Sequence, residues 1–199
     1  MIVIKKLNKA EPYNLFKLFL DKAKKNIQKP INAVCISSYD LKKKEVSSRF
    51  VNLKYIQNDE WLFFSNYNSP KASEFEDHSQ ISALIFWEKI NIQIRMKAHI
   101  EKASNEFSDE HFRQRSIEKN VLSIASNQSQ KIESYEKVIE NYENKFPKVN
   151  VDLKRPKYWG GYSFKPFYFE FWEGHKNRLN KRVAFEKNKK IWKKYYLEP

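Results

Sequence analysis

The order of hydrophobic and polar positions predicts an opening helix followed by a run of strands. Between Pro12 and Pro30, apolar residues recur at helical spacing and lysines occupy the opposite face. From Ile31 the pattern changes to short apolar or alternating segments with polar turns between them, namely INAVCIS, VSSRFVNLKYI and WLFFSN. Such segments at close spacing are typical of antiparallel strands. We therefore expect an antiparallel meander after the first helix.

The second half of the chain alternates between helix and strand patterns. The stretch from Ser69 to Asp77 predicts a short helix, because a Ser at the N-cap is followed by Pro at the first helical position. Two strands follow, ISALIFW and NIQIRMKAHIEKA. The segment 104–146 has no Gly or Pro and predicts two or three helices. Beyond a loop bounded by Pro147 and Pro156, three closing strands are expected: GGYSFKPFYFEFWEG, NRLNKRVAFEK and IWKKYYL.

These elements predict a mainly β protein with peripheral helices. The chain has 199 residues, of which 41% are hydrophobic and 16% aromatic, which is enough apolar material to fill one core. We expect a single domain over 1–199, divided into an N-terminal arm and helix (1–30), barrel strands (31–103), a helical segment (104–146) and closing strands (157–199).

The scarce glycines, cysteine and histidines exclude several kinds of site. Three glycines cannot supply a Gly-rich nucleotide loop. The single cysteine, Cys35, cannot form an internal disulfide, and its apolar surroundings predict a buried structural role. The four histidines lack the spacing of a metal-binding motif, so no metal site is expected. Because no apolar run approaches the ~18 residues of a membrane span, we expect a cytoplasmic protein without membrane contact.

The positive charge raises the question of an anionic partner. Lys and Arg total 38 against 24 Asp and Glu, a formal charge of +14, and nine of the basic residues lie between His175 and Pro199. A nucleic-acid module would need this tail exposed together with stacking aromatics. Trp192, Tyr195 and Tyr196 are expected to alternate into the core instead. We therefore expect a solvated basic surface and no nucleic-acid partner.

Polar residues inside apolar strand patterns point to a different ligand. Each of them, taken singly, is explained by a salt bridge at a barrel rim or by an outward orientation. Taken together, basic side chains within strands need an anionic partner, which indicates a phosphate- or carboxylate-bearing small molecule held between strands. The residues concerned are Arg49, Lys54, Gln93, Arg178 and Arg182.

Eight short blocks give the chain a resemblance to a known family. In order they are RFVNLK (49–54), FFSN (63–66), SPKASEFE (69–76), IQI (92–94), SIASNQS (123–129), WGGY (159–162), FEFWEG (169–174) and RLNKR (178–182). Their order and spacing resemble the pyridoxamine 5′-phosphate oxidase family, the FMN-binding split-barrel flavoproteins. The resemblance implies a Greek-key split β-barrel and a homodimer with FMN at the subunit interface.

The resemblance also implies a set of cofactor-binding positions. A dianionic phosphate is expected to be held by cations and hydroxyls, and the flavin ring by aromatic and amide groups. Lys71 corresponds to the lysine of the family's S-R-K motif, and Gln128 with Ser129 is expected to reach the phosphate across the dimer. The expected FMN contacts are Arg49, Phe50, Val51, Lys54, Phe64, Ser65, Lys71, Gln93, Gln128, Ser129, Trp172 and Arg182.

The chain departs from the family mainly on the substrate side. Pro70 stands where the family has the Arg of S-R-K, and Asn180 stands where the family has the His of R-L-H. The positions that the resemblance assigns to the substrate are Lys54, His111, Arg115, Lys119, Arg178 and Asn180. Spacing of four predicts that 111, 115 and 119 share one helix face. Arg178 is the expected catalytic residue, since it would cover the substrate and stabilise developing charge.

The implied activity has two main versions. In the first, the chain oxidises pyridoxine or pyridoxamine 5′-phosphate to pyridoxal 5′-phosphate, with O2 as acceptor and H2O2 as product. In the second, the pocket accepts another anionic aromatic substrate, as in phenazine-biosynthesis oxidases of the same superfamily. Both substrates are anionic, so charge alone does not separate them. A flavin-binding protein without activity is the third version.

Overall fold

The computed structural model describes residues 2–146 and 153–199, and in these ranges ten strands form one sheet. The strands are β1 (Val3–Leu7), β2 (Ala33–Asp40), β3 (Glu45–Asn52), β4 (Tyr55–Asn58), β5 (Glu60–Asn66), β6 (Gln80–Trp87), β7 (Ile92–Lys102), β8 (Trp159–Glu173), β9 (Lys181–Asn188) and β10 (Ile191–Leu197). Eight of them follow the order β1-β4-β5-β8-β7-β6-β2-β3.

Strand β8 is where the barrel splits. It pairs with β7 along most of its 15 residues, while its first half pairs with β5 and its second half with β9, which in turn pairs with β10. One strand therefore belongs to two branches of the sheet. This arrangement, with helices on the outside, confirms the predicted split-barrel fold.

Five helices lie around the sheet in the part of the chain that the structure describes: α1 (Glu11–Lys25), α2 (Pro70–Asp77), α3 (Asn105–Gln114), α4 (Ile117–Ala125) and α5 (Tyr135–Lys145). Helix α1 buries one face against the sheet, where the rings of Phe16 and Trp61 meet with centroids 4.5 Å apart. Not every apolar residue of the helix faces the sheet: Leu18 is 62% exposed, whereas Tyr13 and Leu20 are buried on the face that packs against the sheet. The predicted helical segment is confirmed as three helices. Pro147, its predicted boundary, lies outside the described residues.

The core lies between α1 and the inner face of the sheet. It is built largely from aromatic rings, which confirms that the aromatic content fills a core. Each such side chain contributes about 1.5–3 kcal/mol when fully buried. Its largest fully buried members include Trp61, Trp87, Phe63, Phe164, Phe169 and Phe171.

The expected meander is correct for the pairs β2–β3 and β4–β5, but β3 and β4 do not pair with each other. The segment VSSRFVNLKYI is two strands, because the backbone N–H groups of Leu53 and Lys54 donate to Asn32 O and Leu62 O, 2.9 and 2.8 Å away. Strand β4 then pairs with β1, which runs parallel to it, and with β5, whereas β2 pairs with β3 and β6. The polar pattern of VIKKL did not predict β1.

Three smaller expectations also changed. Cys35 is half-buried rather than buried, because alternation along β2 turns it to the outer face of the sheet. Trp192 packs against the core, but Tyr196 is exposed. Ser69 is the N-cap of α2 as predicted, although its hydroxyl donates to Asn66 O, 2.7 Å away, rather than capping the helix.

No helix in the described ranges is long and apolar enough to cross a membrane.

Candidate active site

A cavity of about 760 Å³ opens between β3, β5, the start of α2 and the α3–α4 region. Twelve of the residues assigned from the sequence line it together, although they come from six separate segments of the chain. They are Arg49, Phe50, Val51, Lys54, Phe64, Ser65, Lys71, His111, Arg115, Lys119, Gln128 and Ser129.

One end of the cavity is built around the first turn of α2. Lys71 is only 7% exposed, and its Nζ donates to Ser69 Oγ and Ser65 Oγ, at 3.1 and 3.3 Å. Burial lowers the pKa of Lys71, the nearby Arg49 lowers it further, and Glu74 partly offsets both. A buried ammonium at a helix N-terminus, with hydroxyls as its partners, is a site for an anion.

Arg49 is held beside this end by two groups that the sequence analysis did not single out. Its Nη2 lies 2.9 Å from Glu74 Oε2, and Ser38 hydrogen-bonds to both side chains. Glu74 occurs one helical turn after Lys71 within SPKASEFE, so its helical spacing is the signal that could have found it.

The loop after α4 folds over the same end of the cavity. Gln128 Oε1 accepts hydrogen bonds from Asn66 N–H, at 3.0 Å, and from Ser65 Oγ, at 3.3 Å. Within one chain, Gln128 therefore lies at its own chain's cavity, and whether it also reaches a site across a dimer stays a prediction. This placement is tertiary, since β5 and this loop are 62 residues apart in sequence yet adjacent in space.

Arg115, Lys54 and Lys119 gather at the other end of the cavity. The Arg115 guanidinium lies over the ring of Trp159, 4.3 Å from its centroid, and donates to Ser123 Oγ and Lys119 O. Burial lowers the pKa of Arg115 to about 10. The pKa of Lys54 is lowered by burial first and then by Lys119 and Arg115. Among the described residues, none of these three cations has a carboxylate partner within 4 Å.

The prediction that His111, Arg115 and Lys119 share one helix face is wrong. Helix α3 ends at Gln114, Arg115 is its extended C-cap residue, and Lys119 belongs to α4. The break at 115–116 nevertheless turns all three side chains toward the same cavity. Convergence of two helices thus replaces the expected regular spacing.

His111 is packed into a stack of flat rings. Its imidazole lies on Phe64 with centroids 3.7 Å apart and planes 15° apart, and the Trp159 ring lies nearly parallel to both, with centroids 5.3 Å from Phe64 and 6.3 Å from His111. Its Nδ1 is 2.8 Å from the hydroxyl of Tyr55, a residue that the sequence analysis did not assign. Burial, and then the charges of Arg115 and Lys54, lower the pKa of His111 to about 4. The imidazole is neutral at pH 7.

The other assigned residues lie on the outer face of the sheet, away from the cavity lining. Register places Gln93 opposite Trp172, and Trp172 opposite Arg182, so these three form one row across β7, β8 and β9. The Arg182 guanidinium donates to the buried Glu170 carboxylate through Nε and Nη2, at 3.0 and 2.8 Å. Within a single chain, Gln93, Trp172 and Arg182 therefore do not line the cavity.

Arg178 and Asn180 lie in the loop between β8 and β9. Arg178 has a positive φ of 61°, and its side chain is exposed. Asn180 Oδ1 accepts the backbone N–H of His175 at 3.0 Å, so the Asn carboxamide stabilises the loop.

Comparison with known proteins identifies the family. Residues 159–199 match the family model described as the pyridoxine 5′-phosphate oxidase C-terminal dimerisation region. A pyridoxine/pyridoxamine 5′-phosphate oxidase of Coxiella burnetii is 33% identical over 190 residues, covering 96% of both chains. The enzyme of the same name from Leptospira interrogans is 31% identical over 194 residues, covering 96% of this chain and 89% of the relative.

Solved structures agree with these sequence matches. The structure of PhzG from Burkholderia lata in complex with tetrahydrophenazine-1-carboxylic acid superimposes with a TM-score of 0.89 at 25% identity, covering 95% of this chain and 93% of the other. A pyridoxamine 5′-phosphate oxidase-related, FMN binding protein from Nostoc punctiforme has a TM-score of 0.77 at 11% identity, covering 96% and 98%, and shows the fold alone. The fold, the family-model match and the near full-length relatives establish that this chain belongs to the pyridoxine/pyridoxamine 5′-phosphate oxidase family.

Proposed function

We propose that the chain is an FMN-dependent oxidase that converts pyridoxine or pyridoxamine 5′-phosphate to pyridoxal 5′-phosphate, with O2 as acceptor and H2O2 as product; the pyridoxamine reaction also consumes water and releases the amino group as ammonia. The observation that carries the proposal is the division of the cavity's cations into two groups. Lys71 donates to Ser65 and Ser69 at the first turn of α2. Arg115 instead lies over Trp159 and is held by Ser123 and by Lys119 O of α4, and Lys54 is close enough for its pKa to be lowered, beyond the effect of burial, by Lys119 and Arg115. Two separate cationic ends fit two phosphates, one on the flavin and one on the substrate.

The end at α2 fits a flavin phosphate. Lys71 supplies a buried cation, Ser65 a hydroxyl, and Asn66 a backbone N–H that now donates to the Gln128 carboxamide oxygen. The Ser65 hydroxyl and the Asn66 N–H already converge on one acceptor, the Gln128 carboxamide oxygen, and Lys71 donates to the same Ser65 hydroxyl, an arrangement that suits a phosphate oxygen. Bound FMN would supply a two-electron acceptor that O2 reoxidises.

The end at Arg115 fits the phosphate of the substrate. Three cations without acidic partners suit a dianion, because Lys54 and Arg115 would otherwise bear an uncompensated cost of burial, and Lys54 would also be repelled by Arg115 and Lys119. Neutral His111 adds a hydrogen-bond donor. Holding the phosphate here positions the substrate ring for reaction, which is the main contribution that this chain's residues make to the rate.

A homodimer completes the proposed site. The outer face of the sheet exposes apolar side chains beside the cavity rim, including Phe50, which is 75% exposed, and Phe86, which is 52% exposed. Phe86 pairs with Gln93, so this patch is continuous with the row of Gln93, Trp172 and Arg182. Pairing two such faces about a twofold axis would bring the row and Arg178 of each chain to its partner's cavity.

Oxidation of a dihydrophenazine carboxylate is the second candidate function. The observation in its favour is the TM-score of 0.89 with a protein solved in complex with tetrahydrophenazine-1-carboxylic acid. A monoanionic carboxylate needs fewer cations than a phosphate dianion. The three cations at the Arg115 end therefore favour the phosphorylated substrate.

An anaerobic titration of FMN-loaded protein tests the proposal. Pyridoxine 5′-phosphate or pyridoxamine 5′-phosphate should bleach the flavin absorbance, and air should restore it. Unphosphorylated pyridoxine should not bleach the flavin at equal concentration. Protein that stays yellow with both phosphates but bleaches with a dihydrophenazine carboxylate would establish the second candidate.

A pair of arginine variants links that result to the cavity. Arg115→Gln should raise the KM for the phosphorylated substrate at least tenfold, since it removes a charge-assisted contact. Arg113→Gln, on the exposed face of α3, is the matched control and should leave KM unchanged. Equal effects of the two variants would exclude a specific role for Arg115.

A further inference from the structure

Tyr55 and His111 form a hydrogen-bonded pair, of which only His111 lines the cavity. His111 lines the cavity, whereas Tyr55, at the start of β4, stands behind it and is not among the lining residues. The Tyr55 hydroxyl is 2.8 Å from His111 Nδ1, and the two rings meet edge to face at 88°. Tyr55 can therefore act on a bound ligand only through His111.

The chemistry of the two groups sets the direction of this hydrogen bond. Burial, and then the charge of Glu110, raise the pKa of Tyr55, so its hydroxyl keeps its proton. A phenol is the stronger donor, and the unprotonated nitrogen of a neutral imidazole is the stronger acceptor. The Tyr55 O–H therefore donates to Nδ1, and the imidazole proton resides on Nε2.

The ring of Tyr55 is itself fixed by its neighbours. It meets Phe107 and Phe64 edge to face, with centroids 5.2 and 6.2 Å away. On the other side of the pair, the 3.7 Å stack on Phe64 fixes the plane of the imidazole. The stack alone permits a 180° rotation of the ring about the Cβ–Cγ bond, because this rotation leaves the ring plane unchanged. The hydrogen bond from Tyr55 selects one of the two orientations.

We propose that Tyr55 is a positioning residue for ligand binding: its hydroxyl fixes the orientation of His111, so that the imidazole presents Nε2–H to an anion in the cavity. The identification of that anion as the substrate phosphate rests on the proposed function, whereas the Tyr55–His111 relationship does not. A neutral donor is useful here because Lys54, Arg115 and Lys119 already supply three cations. A fourth positive charge would be repelled by them, while an N–H adds a hydrogen bond without that repulsion.

The charged and titratable groups around His111 agree with this role. Lys54 and Arg115 face it from the β3–β4 connection and the end of α3, and both disfavour a charged imidazole. Glu110 precedes it on α3 and acts on Tyr55, while Lys5, from β1, lies over the Tyr55 ring, 5.5 Å from its centroid. Burial first, and then the cations next to the imidazole, keep His111 a neutral donor near pH 7.

Nuclear magnetic resonance of the ligand-free protein tests the relationship directly. In the native protein at pH 7, the His111 ring should give the signals of an Nε2–H tautomer whose Nδ1 accepts a hydrogen bond. Tyr55→Phe should shift the Nδ1 resonance to that of a free acceptor, and His111→Ala assigns the signals among the four histidines. Tyr39→Phe, which alters the edge-to-face Tyr39–His78 pair outside the cavity, is the matched control and should leave His111 unchanged.

A double-mutant cycle tests the consequence for binding, with pyridoxal 5′-phosphate as the probe. Tyr55→Phe should weaken probe binding about five- to tenfold, the effect of one hydrogen bond, and leave FMN affinity unchanged. In the His111→Ala background the same change should have no effect. An equal loss in both backgrounds, or an unshifted Nδ1 signal, would overturn the inference. If the native protein binds no probe, the proposed function fails, and the resonance test still decides the role of Tyr55.

Discussion

The Arg49 guanidinium, which is half-buried, and the buried Glu74 carboxylate form an ion pair, with Nη2 and Oε2 2.9 Å apart, at the edge of the cavity. The pair joins β3, which lines the cavity, to α2, which carries Lys71. Both side chains also hydrogen-bond to Ser38. The relative placement of two cationic residues at the proposed flavin-phosphate site therefore depends on one carboxylate.

Replacing Glu74 with Ala should destabilise the protein and weaken FMN binding. Removing one partner of a buried pair leaves an uncompensated charge and costs about 3–5 kcal/mol in the free energy of unfolding. Glu74→Gln keeps an acceptor for Arg49 and should cost less. Urea unfolding and FMN titration measure both effects. Glu76→Ala, which breaks an exposed pair with Lys102, is the control and should cost at most about 1 kcal/mol.

The stability of the protein should fall as the pH drops from 6.5 to 4. His111 has a pKa of about 4 in the folded protein and 6.5 when unperturbed, so the unfolded chain binds the proton more readily across this window. Acid therefore favours unfolding there, and this contribution to stability is regained as the pH rises from 4 to 6.5 and is complete above 6.5. Thermal unfolding at several pH values should show a shallower dependence for His111→Gln than for the native protein. The exposed His99→Gln should behave like the native protein, and identical profiles for all three would contradict the prediction.

Pro70→Arg should raise the affinity for FMN more than it raises the affinity for riboflavin, which lacks the phosphate. Pro70 lines the cavity beside Lys71, where a new guanidinium can reach a phosphate. One charge-assisted hydrogen bond contributes about 1.5–3 kcal/mol, a factor of roughly ten or more in affinity. Flavin fluorescence titrations give both dissociation constants. An equal change for the two flavins would show that the substitution acts on the protein and not on the phosphate.

Mixed dimers should reveal whether each proposed site uses both chains. Lys71→Met removes a cavity cation and Trp172→Ala removes a residue of the outer row, so each variant alone should bind FMN poorly. In a heterodimer of the two, one site carries both changes and the other carries neither. We expect one FMN per heterodimer, measured by absorbance of the purified mixed species. Failure to recover any FMN binding would mean that Trp172 does not complete the partner's site.

Asn180→His should raise turnover of the phosphorylated substrate. The family resemblance implies an imidazole at this position, and an imidazolium carries a positive charge that a carboxamide lacks. The Asn side chain also accepts the His175 N–H, so the loop backbone has to be monitored, for example by crystallography. Steady-state rates at saturating substrate measure the effect. An unchanged kcat with an intact loop would refute the prediction.

The sequence by itself determined most of the elements, but it predicted neither β1 nor the break between β3 and β4. Periodicity predicted α1 and β7 because each buries one face, and burial imposes a repeat on the sequence. An apolar run predicted β6. Ordered short blocks also identified most of the residues that line the cavity, since those residue types are constrained by local chemistry.

Only the tertiary structure decided which of these residues meet. It separated the cavity lining from the row of Gln93, Trp172 and Arg182, placed Gln128 beside Asn66 at the cavity, and brought His111 to Tyr55 across 56 positions of sequence. It also divided one predicted helix face between α3 and α4. Strand pairing and side-chain partners depend on segments that are distant along the chain, so no local pattern records them.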